Sequence, residues 1–234
     1  MAQRLLFDHP ARVGYLVLVL AGCGGAPGGV VPADARPVSA DQVAQWVTAT
    51  VPKEHQLHRF KWLFRDESSS AGGRGSARIA PPDSMRFDVA GPFGSGASSA
   101  AVVGETPLWT DPPDAIKKMV PNYPLMWGMF GVARMPSAAA DLRGLEDERT
   151  TAWQYVQGGD TIAYVRTRGR PERMVTTVRR GGELVGRAEA TLDSVGAPLT
   201  ARLTVPSVPA RLDLTFLSTA RAEFAPDIWT HRKP

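Results

Sequence analysis

Leu184-Val185-Gly186-Arg187-Ala188-Glu189-Ala190-Thr191-Leu192 is the stretch that decides the fold. Residues 184, 186, 188, 190 and 192 are apolar or small, while Arg187, Glu189 and Thr191 between them are polar. A period of two marks a strand with one face toward a core and the other toward water. The alternation continues downstream: Leu199, Ala201, Leu203 and Val205 oppose Thr200, Arg202 and Thr204, and Leu212, Leu214 and Phe216 oppose Arg211, Asp213 and Thr215. Upstream, Phe87 and Val89 alternate with Arg86 and Asp88, and Ile162 and Tyr164 alternate with Thr161, Ala163 and Val165. The breaks carry turn chemistry, as at Gly158-Gly159-Asp160, Arg180-Gly181-Gly182 and Val195-Gly196-Ala197-Pro198. This pattern predicts a mainly β fold, an antiparallel sheet of about ten strands with one wet face.

Two segments depart from that period. Ser39 is a good N-cap, and Val43, Trp46 and Val47 behind it form one stripe at helical spacing, with Pro52 closing the segment. Within residues 113–135, Leu125, Met126, Trp127, Met129, Phe130, Val132 and Met135 are apolar almost all round. Such a helix must be buried, and at about a dozen residues it is too short to cross a bilayer. The expected architecture is an open, half-closed antiparallel β-barrel with an N-terminal helix and a central helical plug.

The amino terminus reads as an address. Arg4 and Arg12 precede an apolar run, Val13 to Gly22, which predicts a signal peptide over residues 1–22. Leu20-Ala21-Gly22-Cys23 resembles the bacterial lipobox, which implies lipidation of Cys23 and a membrane anchor. Gly24 rather than Asp after the cysteine resembles a signal for the outer membrane. Residues 23–38 then form a lipidated Cys and a flexible Gly/Pro-rich tether, and residues 39–234 the folded domain.

Chemistry is sparse in the rest of the chain. The excess of 27 Lys+Arg over 23 Asp+Glu is spread without a basic block, which argues against a nucleic-acid partner. One cysteine excludes a disulfide framework. Ser95 lacks the G-x-S-x-G setting, because position 93 is Phe. His55 and His58 read as loop histidines, since a zinc site needs three or four ligands and no second cluster accompanies them. Asp141, Glu146, Asp147 and Glu148 read as a solvated turn. The expectation is a monomeric protein that is not an enzyme, with no metal and no cofactor.

Ser84-Met85-Arg86-Phe87-Asp88-Val89-Ala90-Gly91-Pro92-Phe93-Gly94, with the lipobox, the first helix and the central insertion, resembles the LolA/LolB lipoprotein-carrier superfamily. The resemblance implies an open barrel that shelters acyl chains or lipoproteins at the periplasmic face of the outer membrane. It also implies an exposed apolar residue on the Gly-Pro-Phe-Gly turn, here Phe93, for contact with a membrane or partner. A turn folded back onto the barrel end is the alternative. The ligand cleft is expected from Trp62, Phe64, Phe87, Trp109, Met126, Trp127, Met129, Phe130, Tyr155 and Tyr164, above a low wall at Gly186 and Ala188. Methionines suit a deformable apolar guest, but they equally suit a packed plug. The small wall residues leave room for a ligand or for a closely packed helix. A filled scaffold that recruits an envelope assembly is the rival reading.

Overall fold

A computed structural model describes residues 30–92, 96–113, 122–136 and 140–231. The signal segment, Cys23 and Phe93 lie outside the described residues. Among the described residues no helix is long and apolar enough to cross a membrane.

Thirteen strands form one antiparallel sheet. They are β1 (Arg36–Pro37), β2 (Gln56–Arg65), β3 (Ser70–Ala80), β4 (Ser84–Ala90), β5 (Ala97–Val103), β6 (Thr106–Asp111), β7 (Arg143–Glu146), β8 (Thr150–Gln157), β9 (Asp160–Thr167), β10 (Glu172–Arg180), β11 (Glu183–Leu192), β12 (Pro198–Val205) and β13 (Ala210–Arg221). The spatial order is β1-β7-β8-β9-β10-β11-β12-β13-β2-β3-β4-β5-β6, so β1 and β6 are edges and the sheet stays open. Two meanders meet where β13 pairs with β2, from Arg211 opposite Arg65 to Arg221 opposite Gln56. The connection from β6 to β7 must travel from one edge of the sheet to the strand beside the other. Residues 122–136 of that connection, carrying α2 (Tyr123–Gly128), lie across the inner face.

The strand count exceeds the expected ten partly because β3 (SAGGRGSARIA) shows no apolar alternation. Its glycines answer to close neighbours. A Cβ on Gly73 would lie 1.9 Å from the Ala90 carbonyl oxygen, and one on Gly75 would lie 2.4 Å from the Phe60 ring. Leu199 is also misplaced by its period and is exposed. The register shifts between Thr191 and Leu192, so Leu192 pairs with Pro198, and Pro198 turns inward instead.

The first helix forms as its stripe predicts. Helix α1 spans Ala40–Thr48, Ser39 Oγ accepts from the Gln42 N–H at 3.2 Å, and Val43, Trp46 and Val47 are buried. Its Trp46 indole donates to Glu146 Oε2 at 3.0 Å and lies against Trp153, with ring centroids 5.8 Å apart. Residues 30–38, expected as part of a flexible tether, lie on the sheet. Val31 and Ala35 bury against Ala152, Ala163 and Val165 on the outer face, and Arg36–Pro37 pairs with β7. Small side chains at 152 and 163 leave a depression that this apolar pair fills.

Candidate functional site

The inner face of the sheet is continuous and apolar. Phe60 and Trp62 on β2, Phe87 on β4, Trp153 and Tyr155 on β8, Tyr164 on β9, Ala188 on β11 and Leu203 on β12 all belong to one buried cluster. Residues 122–136 cover it. Leu125, Met126, Trp127, Met129, Phe130 and Val132 are each at most 3% exposed. Apart from Trp109, the expected cleft residues are therefore brought together, but the hollow between them is occupied by the chain's own side chains.

Contacts around the segment are close. A Cβ on Gly128 would meet Thr176 Oγ1 at 2.3 Å, and one on Gly186 would meet Leu125 Cδ1 at 2.6 Å. The low wall at Gly186 and Ala188 thus accommodates α2 and leaves no open space above it. Phe130 sits among four rings, with centroids 5.6 Å from His58 and Phe216 and 6.2 Å from Phe60 and Phe87. Trp62 lies at the margin, its indole donating to the carbonyls of Arg74 at 3.2 Å and Ala90 at 3.1 Å. Phe64 is half-buried against the cluster.

Trp109 does not belong to this face. It pairs with Ala101, whose partner on β4 is Arg86, so it points outward. There its indole donates to the Trp229 carbonyl at 2.7 Å, and the Arg86 guanidinium lies 5.2 Å from its ring centre. A register shift between Ala101 and Val102 reverses the facing that sequence position alone suggests.

The covering segment is pinned at its far end by polar contacts. Tyr155 donates its hydroxyl to the Arg134 carbonyl at 3.2 Å, and the Arg134 N–H donates to Tyr164 Oη at 3.2 Å. Burial pushes both phenols up from their ordinary value, so they stay protonated donors. The Trp127 indole donates to the Gly104 carbonyl at 2.8 Å under the Arg134 guanidinium, 5.0 Å from the ring centre. Next to it, burial raises the Glu105 carboxyl, with Arg134 opposing, and Gln157 donates to its Oε2 at 2.9 Å.

Several buried polar atoms of the sheet and the covering segment have no partner among the described residues. They include Thr176 Oγ1, Trp153 Nε1, Asn122 Oδ1 and His58 Nε2. His58 is not a loop histidine. It lies on β2, 1% exposed, with Nδ1 2.9 Å from Thr219 Oγ1, and burial lowers its pKa to about 4. Its inward position follows from the Phe60 and Trp62 period, a signal hidden by the adjacent charges. His55 is exposed and stacks on Phe224 at 5.3 Å. Among the described residues no group of three or more His, Cys, Asp or Glu could hold a metal.

The inner cluster approaches the surface at a groove of about 450 Å³ that reaches Phe130. Residues 49–54 form one wall and Val195-Gly196 part of the other. Any path from solvent to the covered face by this route passes Phe130.

No family model matches the chain, and no curated protein matches it. Among solved structures the chain is similar to a LolA superfamily protein from Nitrosomonas europaea, at 7% identity over 83% of this chain and 98% of that one, with a TM-score of 0.40. It is similar to a candidate outer membrane lipoprotein-sorting domain from Vibrio parahaemolyticus, at 10% identity over 82% and 97%, with a TM-score of 0.34. MucB is similar at 13% identity over 84% of this chain and 65% of that one, with a TM-score of 0.36.

Proposed function

We propose that this is a lipid-anchored envelope protein, tethered through Cys23 at the periplasmic face of the outer membrane, which binds acyl chains or lipoproteins without covalent chemistry. The observation that carries the reading is that residues 122–136 cover much of the apolar inner face, alongside α1. A guest that displaces this segment finds a sheet already lined by Phe60, Phe87, Tyr155 and Tyr164. Each sheltered CH2 contributes about 0.8 kcal/mol. The unpartnered hydroxyl of Thr176, which faces Gly128, lowers the cost of uncovering that face, because it regains a partner when the face opens.

The second reading, a filled scaffold that recruits an envelope assembly, is favoured by the close packing of Leu125 on Gly186. Substitution at the interface separates the two. Gly128→Ala drives a methyl group against Thr176, and Gly186→Ala presses more mildly on the flexible end of Leu125. Under displacement, both variants lower the thermal midpoint and bind a fluorescent palmitoyl probe more tightly than the parent. Under the scaffold reading they lower the midpoint alone, and no form binds the probe at micromolar concentration.

A further inference from the structure

The cations that look scattered in the sequence are gathered by strand alternation onto the outer face. Arg59, Lys61 and Arg65 point outward from β2, Arg74 and Arg78 from β3, Arg86 from β4 and Arg211 from β13. The carboxylates on this face are already shared. Asp88 accepts from Arg78 at 2.7 Å and Arg86 at 3.0 Å, and Asp213 accepts from Arg202 at 2.8 Å and Arg211 at 2.7 Å. The side chains of Arg59, Lys61, Arg65 and Arg74 make no ion pair among the described residues, and all four are exposed.

Their placement carries an energetic cost. Lys61 lies directly opposite Arg74, and Arg65 lies directly opposite Arg211. Like charges at facing positions, with Cβ atoms about 5 Å apart, destabilise a sheet. Beside the first pair runs a groove of about 790 Å³, lined by Lys61, Gly72, Gly73, Arg74 and the Ala90-Gly91-Pro92 strand end. The groove is far larger than a single phosphate, and apart from its two cations its walls are glycine, alanine and proline. Along β2 the outward row runs Leu57, Arg59, Lys61, Leu63 and Arg65, so half-buried leucines flank the two central cations. The outward residues of β2 and β3 include no aromatic ring on which a base could stack.

We infer that the outer face of β2 and β3 docks on an anionic lipid surface, with Lys61 and Arg74 taking headgroup phosphates at the mouth of this groove. Charge complementarity selects the occupant, and the leucines flanking the cations fit the boundary between headgroups and acyl chains. This surface is opposite the covered inner face, so it stands independently of acyl binding there.

The test uses the full chain carrying Cys23→Ser, which cannot be lipidated, in co-sedimentation with two vesicle types. One is pure phosphatidylcholine, and the other contains phosphatidylglycerol as its minor component. The expected result is preferential binding to the second, falling with added salt. Lys61→Gln with Arg74→Gln should weaken that binding about 30-fold, from the usual contribution of two cations near an anionic surface. Lys53→Gln with Arg36→Gln removes the same net charge from elsewhere and should change it less than about 2-fold. The first pair should remain folded, since it removes a repulsion and breaks no ion pair. Equal binding to both vesicle types, or equal losses in the two double variants, would overturn the inference. So would binding of an oligothymidylate that depends on Lys61 and Arg74 when neither vesicle type is bound.

Discussion

Thr176→Val probes the interface beneath the covering segment most directly. Thr176 lies at the centre of β10, is 0% exposed, and has Tyr164 and Ala188 as its cross-strand partners. Its Oγ1 faces Gly128 and has no hydrogen-bond partner among the described residues. A buried hydroxyl left unpaired costs about 1–3 kcal/mol. Valine keeps the β-branched shape and replaces the hydroxyl with a methyl group, whose slightly greater bulk against Gly128 returns part of that gain. The net expectation is a stabilisation of about 1 kcal/mol. In urea the midpoint should rise with the slope unchanged, and on heating the midpoint should rise by about 2–4 °C. Thr200→Val, at an exposed position on β12, should change stability by less than about 0.5 kcal/mol. Because the change favours the covered state, palmitoyl-probe binding by displacement should weaken about 5-fold. A loss of 1 kcal/mol or more on Thr176→Val would refute the reasoning, since it would mean that the hydroxyl is satisfied and useful.

Four further outcomes can be checked. Phe130→Ala removes a ring packed among four others and should cost about 3–5 kcal/mol by denaturant unfolding. Gly73→Ala places a methyl group against the Ala90 backbone, which cannot swing aside, so losses above about 3 kcal/mol and disrupted β3–β4 pairing are expected in amide exchange. His58 stays neutral in the folded chain to about pH 4 against 6.5 unfolded, so the unfolded state takes up its proton first as pH falls. Its contribution is intact above pH 6.5 and declines by about 1.4 kcal/mol per unit down to about pH 4, a slope that His58→Leu should abolish in urea titrations. Finally, Cys23→Ser should abolish acyl labelling with radioactive palmitate in a bacterial host and release the protein from the membrane fraction.

What could be read from the chain before its structure was known followed the simplest periods. The Gly186-Ala188-Ala190 face and the Val43-Trp46-Val47 stripe are buried as their spacing predicts, because each lies in an element without a register shift at those positions. Leu199 and Trp109 reverse their facing because bulges shift the pairing nearby, and a one-residue slip moves a side chain to the other face. The strand at Ser70–Ala80 was illegible because its glycines are selected by Phe60 and the Ala90 backbone, which are distant in sequence. The candidate cleft was legible as a set of residues but not as a filled space. That Leu125 and Gly128 occupy the room above Gly186 and Thr176 depends on how the β6–β7 connection crosses the sheet. The basic outer patch has the same origin, since the Lys61–Arg74 pairing exists only once the strands are in register.

The seam between β2 and β13 has a consequence for how the molecule is made. Its ladder joins Gln56–Arg65 to Ala210–Arg221, so the second strand to leave a ribosome or a translocation channel waits for the last. Neither hairpin series can complete its neighbour's hydrogen bonding until the carboxyl-terminal strand emerges. Synthesis from the amino end therefore delivers β2 long before β13, and the joining of the two strand series becomes a late event.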